Sequence, residues 1–332
     1  MRLKSVFFLR MAIMFIMFGL IINTPLHSAQ KVPIHFDKYH GYNGTVNYLK
    51  AVAKGYPHIT KLLEIGKSTM GRPIYVLVIS NMKTGTTIDA HVNLRNMRKE
   101  GVKNVIPMKP YQGKPGLWIS GATHGNEFTG TEVCLYTIDK LVSGYGSDEE
   151  ITGIIDNNTF YICPMVNPDG VYNSVEKGMP QRANSMNKDD DKDGKINEDG
   201  PDDLDGDGLL LQFRYKDSKG NYVIDEQDPR VMIRLRGNQK TDKPRYSVIR
   251  EDKDNDGVGK RGEDSESGID LNRNYPEGWW RTDGFAGGSG DYPTSAPETH
   301  AMAEFVTNHT TILMAQNYHT SGGFTFRPMG TA

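Results

Sequence analysis

The alternation of apolar and polar positions predicts strands and helices that follow one another through most of the chain. Two adjacent strands are predicted over 62–66 and 74–79, separated by the turn Gly71-Arg72-Pro73. Nearly continuous apolar runs at 117–120 and 159–166 predict inner strands that are buried on both faces.

Helices are predicted between these strands by apolar side chains spaced three and four positions apart. Thr45 is predicted to cap a first helix, and a second helix is predicted over 131–141. Ser295 and Glu298 form a capping-box pattern before a third helix, which leads to an apolar strand at 312–314. This alternation predicts an α/β fold with a central, mostly parallel or mixed sheet and helices on both faces.

Residues that can ligate a metal follow two of the predicted strands. His124 and Glu127 lie three positions apart after the strand at 117–120, and His319 follows the strand at 312–314. Functional groups in such sheets gather beyond the strand ends, and a His₂Glu set leaves a catalytic zinc one open position. The sequence therefore predicts a zinc site, against the simpler interpretations of a surface turn at His124 and a structural histidine at position 319.

A second group of polar residues suits the binding of a carboxylate. Asn272 and Arg273 lie side by side in the turn-rich stretch 268–276, where a planar guanidinium next to an amide can hold two carboxylate oxygens. Arg182 is a further cation that could stabilise the oxyanion formed when a zinc-bound water attacks a carbonyl. These groups together predict hydrolysis of the bond next to a free C-terminus.

The chain resembles the M14 zinc carboxypeptidases, which have the funnelin fold of carboxypeptidase A. The resemblance runs from about Pro33 to the end. It rests on Phe36-Asp37-Lys38-Tyr39, Tyr56-Pro57, Ile65-Gly66-Lys67-Ser68, Gly121-Ala122-Thr123-His124-Gly125-Asn126-Glu127, Asn167-Pro168-Asp169-Gly170 and Asp270-Leu271-Asn272-Arg273-Asn274.

The resemblance implies roles for six residues. His124, Glu127 and His319 would be zinc ligands, Asn272 and Arg273 would bind the terminal carboxylate of a peptide or protein substrate, and Arg182 would stabilise the oxyanion. It leaves open whether the substrate is an ordinary peptide or a cell-wall peptide cleaved by amidase action.

The sequence departs from the family's pattern after His319, where it contains no Asp or Glu. The family's general-base glutamate lies well downstream of the third zinc ligand, so we expect this base, and the end of the sheet, to be missing. The chain would then be part of a longer active enzyme, an inactive fragment, or half of a site completed by another chain; we favour the first. The alternative function is a catalytically silent, secreted zinc- and calcium-binding protein that recognises peptides.

The N-terminus has the pattern of a secretory signal. Basic residues precede an apolar stretch over 11–22, and small residues end at Ala29. We therefore expect a signal peptide over 1–29, a catalytic domain over 33–332 and a secreted or periplasmic protein with no stable membrane span after cleavage. The alternative is an uncleaved N-terminal membrane anchor.

Charge and cysteine content narrow the function classes. The formal net charge of -2 gives no general reason to expect a nucleic acid partner. Cys134 and Cys163 lie among apolar neighbours, which favours core thiols over a disulfide framework.

Acidic residues concentrate in a predicted insertion over about 183–266. Within it, Asp252, Asp254, Asp256 and Glu263 follow the spacing of a calcium-binding loop, without the flanking helices of a complete EF-hand. We predict calcium here, against the alternative of a solvated acidic loop. Two related stretches, which begin at Asp189 and Asp203, lack the closing glutamate.

Overall fold

The computed structural model describes residues 32–84, 114–187, 202–237, 239–255, 257, 259, 268–281, 288–320 and 325. The predicted signal peptide over 1–29 lies outside these residues. The helices are α1 (Tyr42–Gly55), α2 (Thr129–Gly144), α3 (Glu149–Asn157), α4 (Pro168–Val171) and α5 (Pro297–Asn308). The strands are β1 (Thr60–Lys67), β2 (Pro73–Ile79), β3 (Gly116–Gly121), β4 (Thr159–Cys163), β5 (Gln212–Lys216), β6 (Tyr222–Ile224), β7 (Met232–Arg234), β8 (Tyr246–Arg250) and β9 (Ile312–Tyr318).

Five strands form a central mixed sheet in the order β1-β2-β4-β3-β9. Strand β2 is antiparallel to β1 and β4, whereas β3 is parallel to β4 and β9. Ser120 pairs with Cys163, and Gly121 pairs with Tyr318, so the three parallel strands end at the same edge of the sheet. The segments that carry His124 and His319 therefore leave the sheet side by side.

Helices cover both faces of this sheet, as the sequence predicted. On one face, α1, α2 and α3 bury apolar side chains that include Leu49, Leu135 and Ile155. On the other face, α5 packs Met302 and Phe305 against the sheet. Each helix buries one apolar stripe, because residues three and four positions apart share a helix face.

A second, antiparallel sheet lies within the predicted insertion, in the order β5-β8-β6-β7. Phe213 on β5 pairs with Ile249 on β8, and both side chains are exposed. The chain enters this region at Asn184 and leaves it at Gly268 and Ile269, and we call these three adjoining residues the neck. There, Asn184 N–H donates to the Ile269 carbonyl at 3.0 Å and Gly268 N–H donates to the Asn184 carbonyl at 2.7 Å.

The two predicted helix caps are wrong. Helix α1 begins at Tyr42 after Gly41, and Thr45 lies buried inside it. The carboxylate of Glu176 accepts from the backbone N–H and the side chain of Asn43, so a distant residue satisfies this helix start.

Helix α5 begins after Ala296, which has no side-chain cap, and the predicted capping box does not form. Ser295 Oγ accepts from Asn274, while Glu298 accepts from Thr69 and Asn184 in other parts of the chain. Tertiary hydrogen bonds have replaced the local cap in both cases.

The apolar run at 159–166 forms a shorter strand than its pattern predicts, since β4 ends at Cys163 before Pro164. Both cysteines are free and buried. Among the described residues, no helix is long and apolar enough to cross a membrane.

Candidate metal centre

The turn after β3 brings His124 and Glu127 to the edge of the sheet. Ala122 has the positive φ of 48° that L-residues rarely adopt, which turns the chain sharply as the strand ends. Gly125 then lies directly against Gly170: a Cβ added to Gly125 would lie 2.3 Å from the Gly170 backbone. Only glycine fits this close approach, which packs the metal-ligand turn onto the turn that follows β4.

His124, Glu127 and His319 converge at one point. Their candidate ligand atoms all lie within 4.8 Å of one another. Glu127 Oε1 lies 2.9 Å from His124 Nδ1, and Glu127 Oε2 lies 2.7 Å from His319 Nδ1. The structure thus brings together the three residues that the sequence predicted as ligands.

These three side chains fit a zinc ion. His124 Nδ1 is buried and has no hydrogen-bond partner with suitable geometry, although the Glu127 carboxylate is close. A buried nitrogen aimed at a carboxylate and a second imidazole is the donor chemistry that zinc uses. His124 is buried, whereas the side chain of His319 is 32% exposed, so the group is more exposed on its His319 side.

Asp270 and Arg182 surround this group with charge. Asp270 Oδ1 lies 3.1 Å from His124 Nε2, which orients the imidazole so that Nδ1 faces Glu127. Arg182 spans both carboxylates: one guanidinium nitrogen lies 3.0 Å from Glu127 Oε1, and others lie 3.3 Å from Asp270 Oδ2. The predicted oxyanion cation therefore lies beside the candidate ligands.

Both carboxylates are held in the ionised form. Burial tends to raise the pKa of Glu127, but the neighbouring His124 and His319 more than offset this effect and lower it. Burial also opposes ionisation of Asp270, yet His124, Arg182 and the backbone N–H of Asn272 lower its pKa. An ionised Glu127 is the form that can ligate a cation.

Asn272 and Arg273 lie on a short 3₁₀ turn over Leu271–Arg273, directly after Asp270. Asp270 Oδ1 accepts from the Asn272 N–H at 2.9 Å, so the residue that orients His124 also caps this turn. Both Asn272 and Arg273 are exposed, and an Arg273 guanidinium nitrogen donates to the Asn272 carbonyl at 3.1 Å. One short segment thus joins the metal group to the predicted carboxylate clamp.

Asn167 is a site residue whose role the residues alone did not reveal. Its amide nitrogen donates to the carbonyls of Arg182 and Ala183 at 3.3 and 2.9 Å, and its oxygen accepts from Gly170 N–H at 2.9 Å. It therefore ties the Arg182 segment to the turn that packs against Gly125. In the sequence, the feature that marks Asn167 as a candidate site residue is its position just after an inner strand.

The predicted calcium loop is only partly described, since Asp256 and Glu263 lie outside the described residues. Asp252 is largely buried and Asp254 is exposed, and Asp254 accepts from the N–H groups of Gly257 and Gly259. The loop that begins at Asp203 shows the same pattern, with Gly206 and Gly208 as donors. The described turns at Asp203 and Asp254 therefore share one backbone hydrogen-bond pattern, and calcium binding at the predicted loop stays a prediction.

A third acidic residue, Glu251, joins the loop that begins at Asp203. Oxygen atoms of Asp203, Asp205 and Glu251 lie within 4.8 Å of one another. The buried Glu251 carboxylate already accepts backbone N–H groups from Leu204, Asp205 and Leu211. The sequence pattern missed this grouping because Glu251 is distant along the chain.

Comparison with known proteins agrees with this geometry. The family model for zinc carboxypeptidases, peptidase family M14, matches residues 45–229 and 232–332. Mouse carboxypeptidase M is 35% identical over 140 residues, which cover 42% of this chain and 26% of that protein. Carboxypeptidase D from Anas platyrhynchos is 31% identical over 169 residues, covering 50% of this chain and 10% of that protein.

One solved structure supports the same fold. A carboxypeptidase A from Helicoverpa armigera superimposes with a TM-score of 0.50 at 19% identity, covering 89% of this chain and 49% of that one. The chain thus aligns with about a quarter or less of these two curated relatives and with about half of this solved structure. Because the family model matches most of its length, the chain belongs to the zinc carboxypeptidase family, M14.

Proposed function

We propose that the protein is a zinc-dependent carboxypeptidase that removes C-terminal residues from peptides. The observation that carries the proposal is the convergence of His124, Glu127 and His319 on one point, with the His319 side the more exposed. Family membership supports the same reaction class. Zinc, when bound, would polarise the scissile carbonyl and acidify a water molecule.

The residues around this point would stabilise the oxyanion and bind the substrate. Arg182, beside Glu127, would offer its guanidinium to the oxyanion, and Asn272 and Arg273 would hold the terminal carboxylate of the substrate. Peptide hydrolysis also requires a base that accepts a proton from the water. That this base is a glutamate absent from this chain stays a prediction.

Location and calcium binding belong to the same proposal. The N-terminal pattern supports export to a secreted or periplasmic location, where peptide substrates are available. Calcium at Asp252, Asp254, Asp256 and Glu263 stays a prediction that equilibrium dialysis with calcium would test.

The test is zinc stoichiometry together with turnover of a peptide and of its C-terminal amide. We expect one zinc per chain, which His124→Ala and His319→Ala each abolish, and cleavage of the free peptide only. His300→Ala is the matched control, because His300 is an exposed histidine on α5. Zinc binding that persists in each of the two single variants would refute the ligand assignment.

The same experiment, with a cell-wall peptide as a third substrate, separates the remaining alternatives. Zinc without turnover of any peptide, in the full-length protein, would favour a silent binding protein. Cleavage of cell-wall peptides but not of ordinary peptides would identify an amidase. Cleavage of the amidated peptide at the same rate would refute the role of Asn272 and Arg273.

A further inference from the structure

A buried carboxylate that does not touch the metal group lies where three parts of the chain meet. Glu298, in the first turn of α5, is fully buried. Its Oε1 accepts from the backbone N–H of Thr69 at 2.8 Å and from Thr69 Oγ1 at 3.0 Å, and its Oε2 accepts from Asn184 Nδ2 at 2.8 Å. These donors hold the buried Glu298 side chain in one position, because a buried oxygen without a hydrogen-bond partner is costly.

The contact with Glu298 fixes which way the Asn184 amide points. With Nδ2 turned to the carboxylate, Asn184 Oδ1 accepts from the backbone N–H of Ile269 at 2.8 Å. The backbone of Asn184 adds two hydrogen bonds, to Gly268 and Ile269. Asn184 is itself fully buried, so a reversed amide would leave donors facing donors.

These hydrogen bonds connect the two segments that carry the charged side chains of the site. Asn184 lies two positions after Arg182, and Ile269 lies one position before Asp270. Arg182 and Asp270 then meet at 3.3 Å beside the candidate ligands. A displacement of either segment would move the guanidinium away from the place where an oxyanion forms.

We propose that Glu298 is a positioning residue: through Asn184, it sets the placement of Arg182 against Asp270. We call the pair Glu298 and Asn184 the clasp. The clasp also lies at the neck of the predicted insertion, where Asn184 is hydrogen-bonded to Gly268 and Ile269. The catalytic consequence of the clasp rests on the proposed function, whereas its structural part does not.

The test exchanges the donor and the acceptor of the clasp. Glu298→Gln places a side-chain N–H₂ against Asn184 Nδ2, and Asn184→Asp places two carboxylates face to face. In the double variant, the amide oxygen at position 298 can still accept from Thr69. The N–H₂ of the same amide donates to the new carboxylate at position 184, whose other oxygen accepts from Ile269. Glu304→Gln, an exposed position on the same helix, is the matched control.

The first measurement is hydrogen exchange of the Gly268 and Ile269 amides in the metal-free protein. We expect exchange to be at least about tenfold faster in each single variant, because each leaves buried polar atoms without a partner, and slow again in the double variant. Amides of β2 should exchange at the parent rate in all of them. Unchanged exchange in the single variants, or no recovery in the double variant, overturns the clasp.

The second measurement is kcat and KM of the zinc-loaded, full-length protein. We expect each single variant to lose about 10- to 100-fold in kcat, with kcat/KM falling in parallel, and the double variant to recover. A purely structural role would instead lower the melting temperature and speed exchange throughout the chain, with kcat following the folded fraction. A parent without turnover refutes the proposed function, and the exchange pattern still decides the clasp.

Discussion

The two nitrogens of the His124 ring face two different carboxylates, and this arrangement decides what the histidine can do. Nε2 lies 3.1 Å from Asp270, which leaves Nδ1 aimed at Glu127. A carboxylate behind a histidine ligand fixes the ring and makes it a stronger donor. The spacing of His124 and Glu127 could be recognised in the sequence, but the contact between His124 and Asp270 spans 146 positions and follows only from the fold.

Replacement of Asp270 should therefore weaken metal binding without removing a ligand. We expect Asp270→Asn to lower zinc affinity by about 10- to 100-fold, because the neutral amide orients His124 less firmly and no longer pairs with Arg182. Competition with a chromogenic chelator measures the change, and Asp291→Asn, an exposed acid, is the control. An affinity equal to that of the parent would show that Asp270 does not support the ligand.

At the scale of elements, the periodic apolar patterns predicted most of the central sheet and its helices. The ends were less predictable: Thr45 does not cap α1, and Glu298 does not close a capping box, since both helix starts lie among tertiary partners. The second sheet, over 212–250, was not predicted at all. Its strand β5 does alternate, with Phe213 and Tyr215 between polar residues, but it is only five residues long and lies in a highly charged stretch, so the pattern predicts little on its own.

Deletion of this second sheet should leave the zinc site and the stability of the protein largely unchanged. In the part of the chain that the structure describes, none of the three apolar core clusters includes its buried residues Val223 and Leu235, and the neck at Asn184 is closed by hydrogen bonds to Gly268 and Ile269. We expect a variant that joins Asn187 to Gly268 through two glycines to bind one zinc. Its free energy of unfolding should lie within about 2 kcal/mol of the parent value, since a shorter connection loses less entropy on closure.

Zinc titration and urea unfolding of the shortened protein check this expectation. The same deletion combined with Asn184→Ala is the comparison, because it also breaks the neck, and it should be less stable than the deletion alone. A shortened protein that is insoluble or free of metal while Asn184 is intact would show that the central sheet depends on the insertion.

The whole molecule should lose stability in alkaline solution, because it buries thiols and phenols in its core. Burial raises the pKa of Cys163 from 9.0 to about 12, and burial with the nearby Tyr75 raises that of Tyr42 from 10.0 to about 12. Burial raises the pKa of Tyr161 as well. In the unfolded chain these groups ionise at their ordinary values, so between about pH 9 and 12 the unfolded state holds fewer protons than the folded state.

These raised pKa values place the loss of stability on the alkaline side. A group that keeps its proton only in the folded state contributes stability that is fully present below its unfolded pKa and disappears as the pH rises toward the folded value. We expect these groups to leave the free energy of unfolding unchanged up to about pH 8.5 and to lower it at higher pH. Cys163 alone contributes up to about 1.4 kcal/mol per pH unit to this decrease.

Urea unfolding at pH 7.5, 9, 10 and 11 measures this slope, and Cys163→Ala should make it shallower. Val166→Ala is the control, because Val166 is buried in the same apolar cluster but cannot ionise. It should lower stability by a similar amount at every pH and leave the slope unchanged. A stability that is constant to pH 11, or equal slopes in the parent and in Cys163→Ala, would mean that burial does not raise the pKa of the Cys163 thiol to about 12.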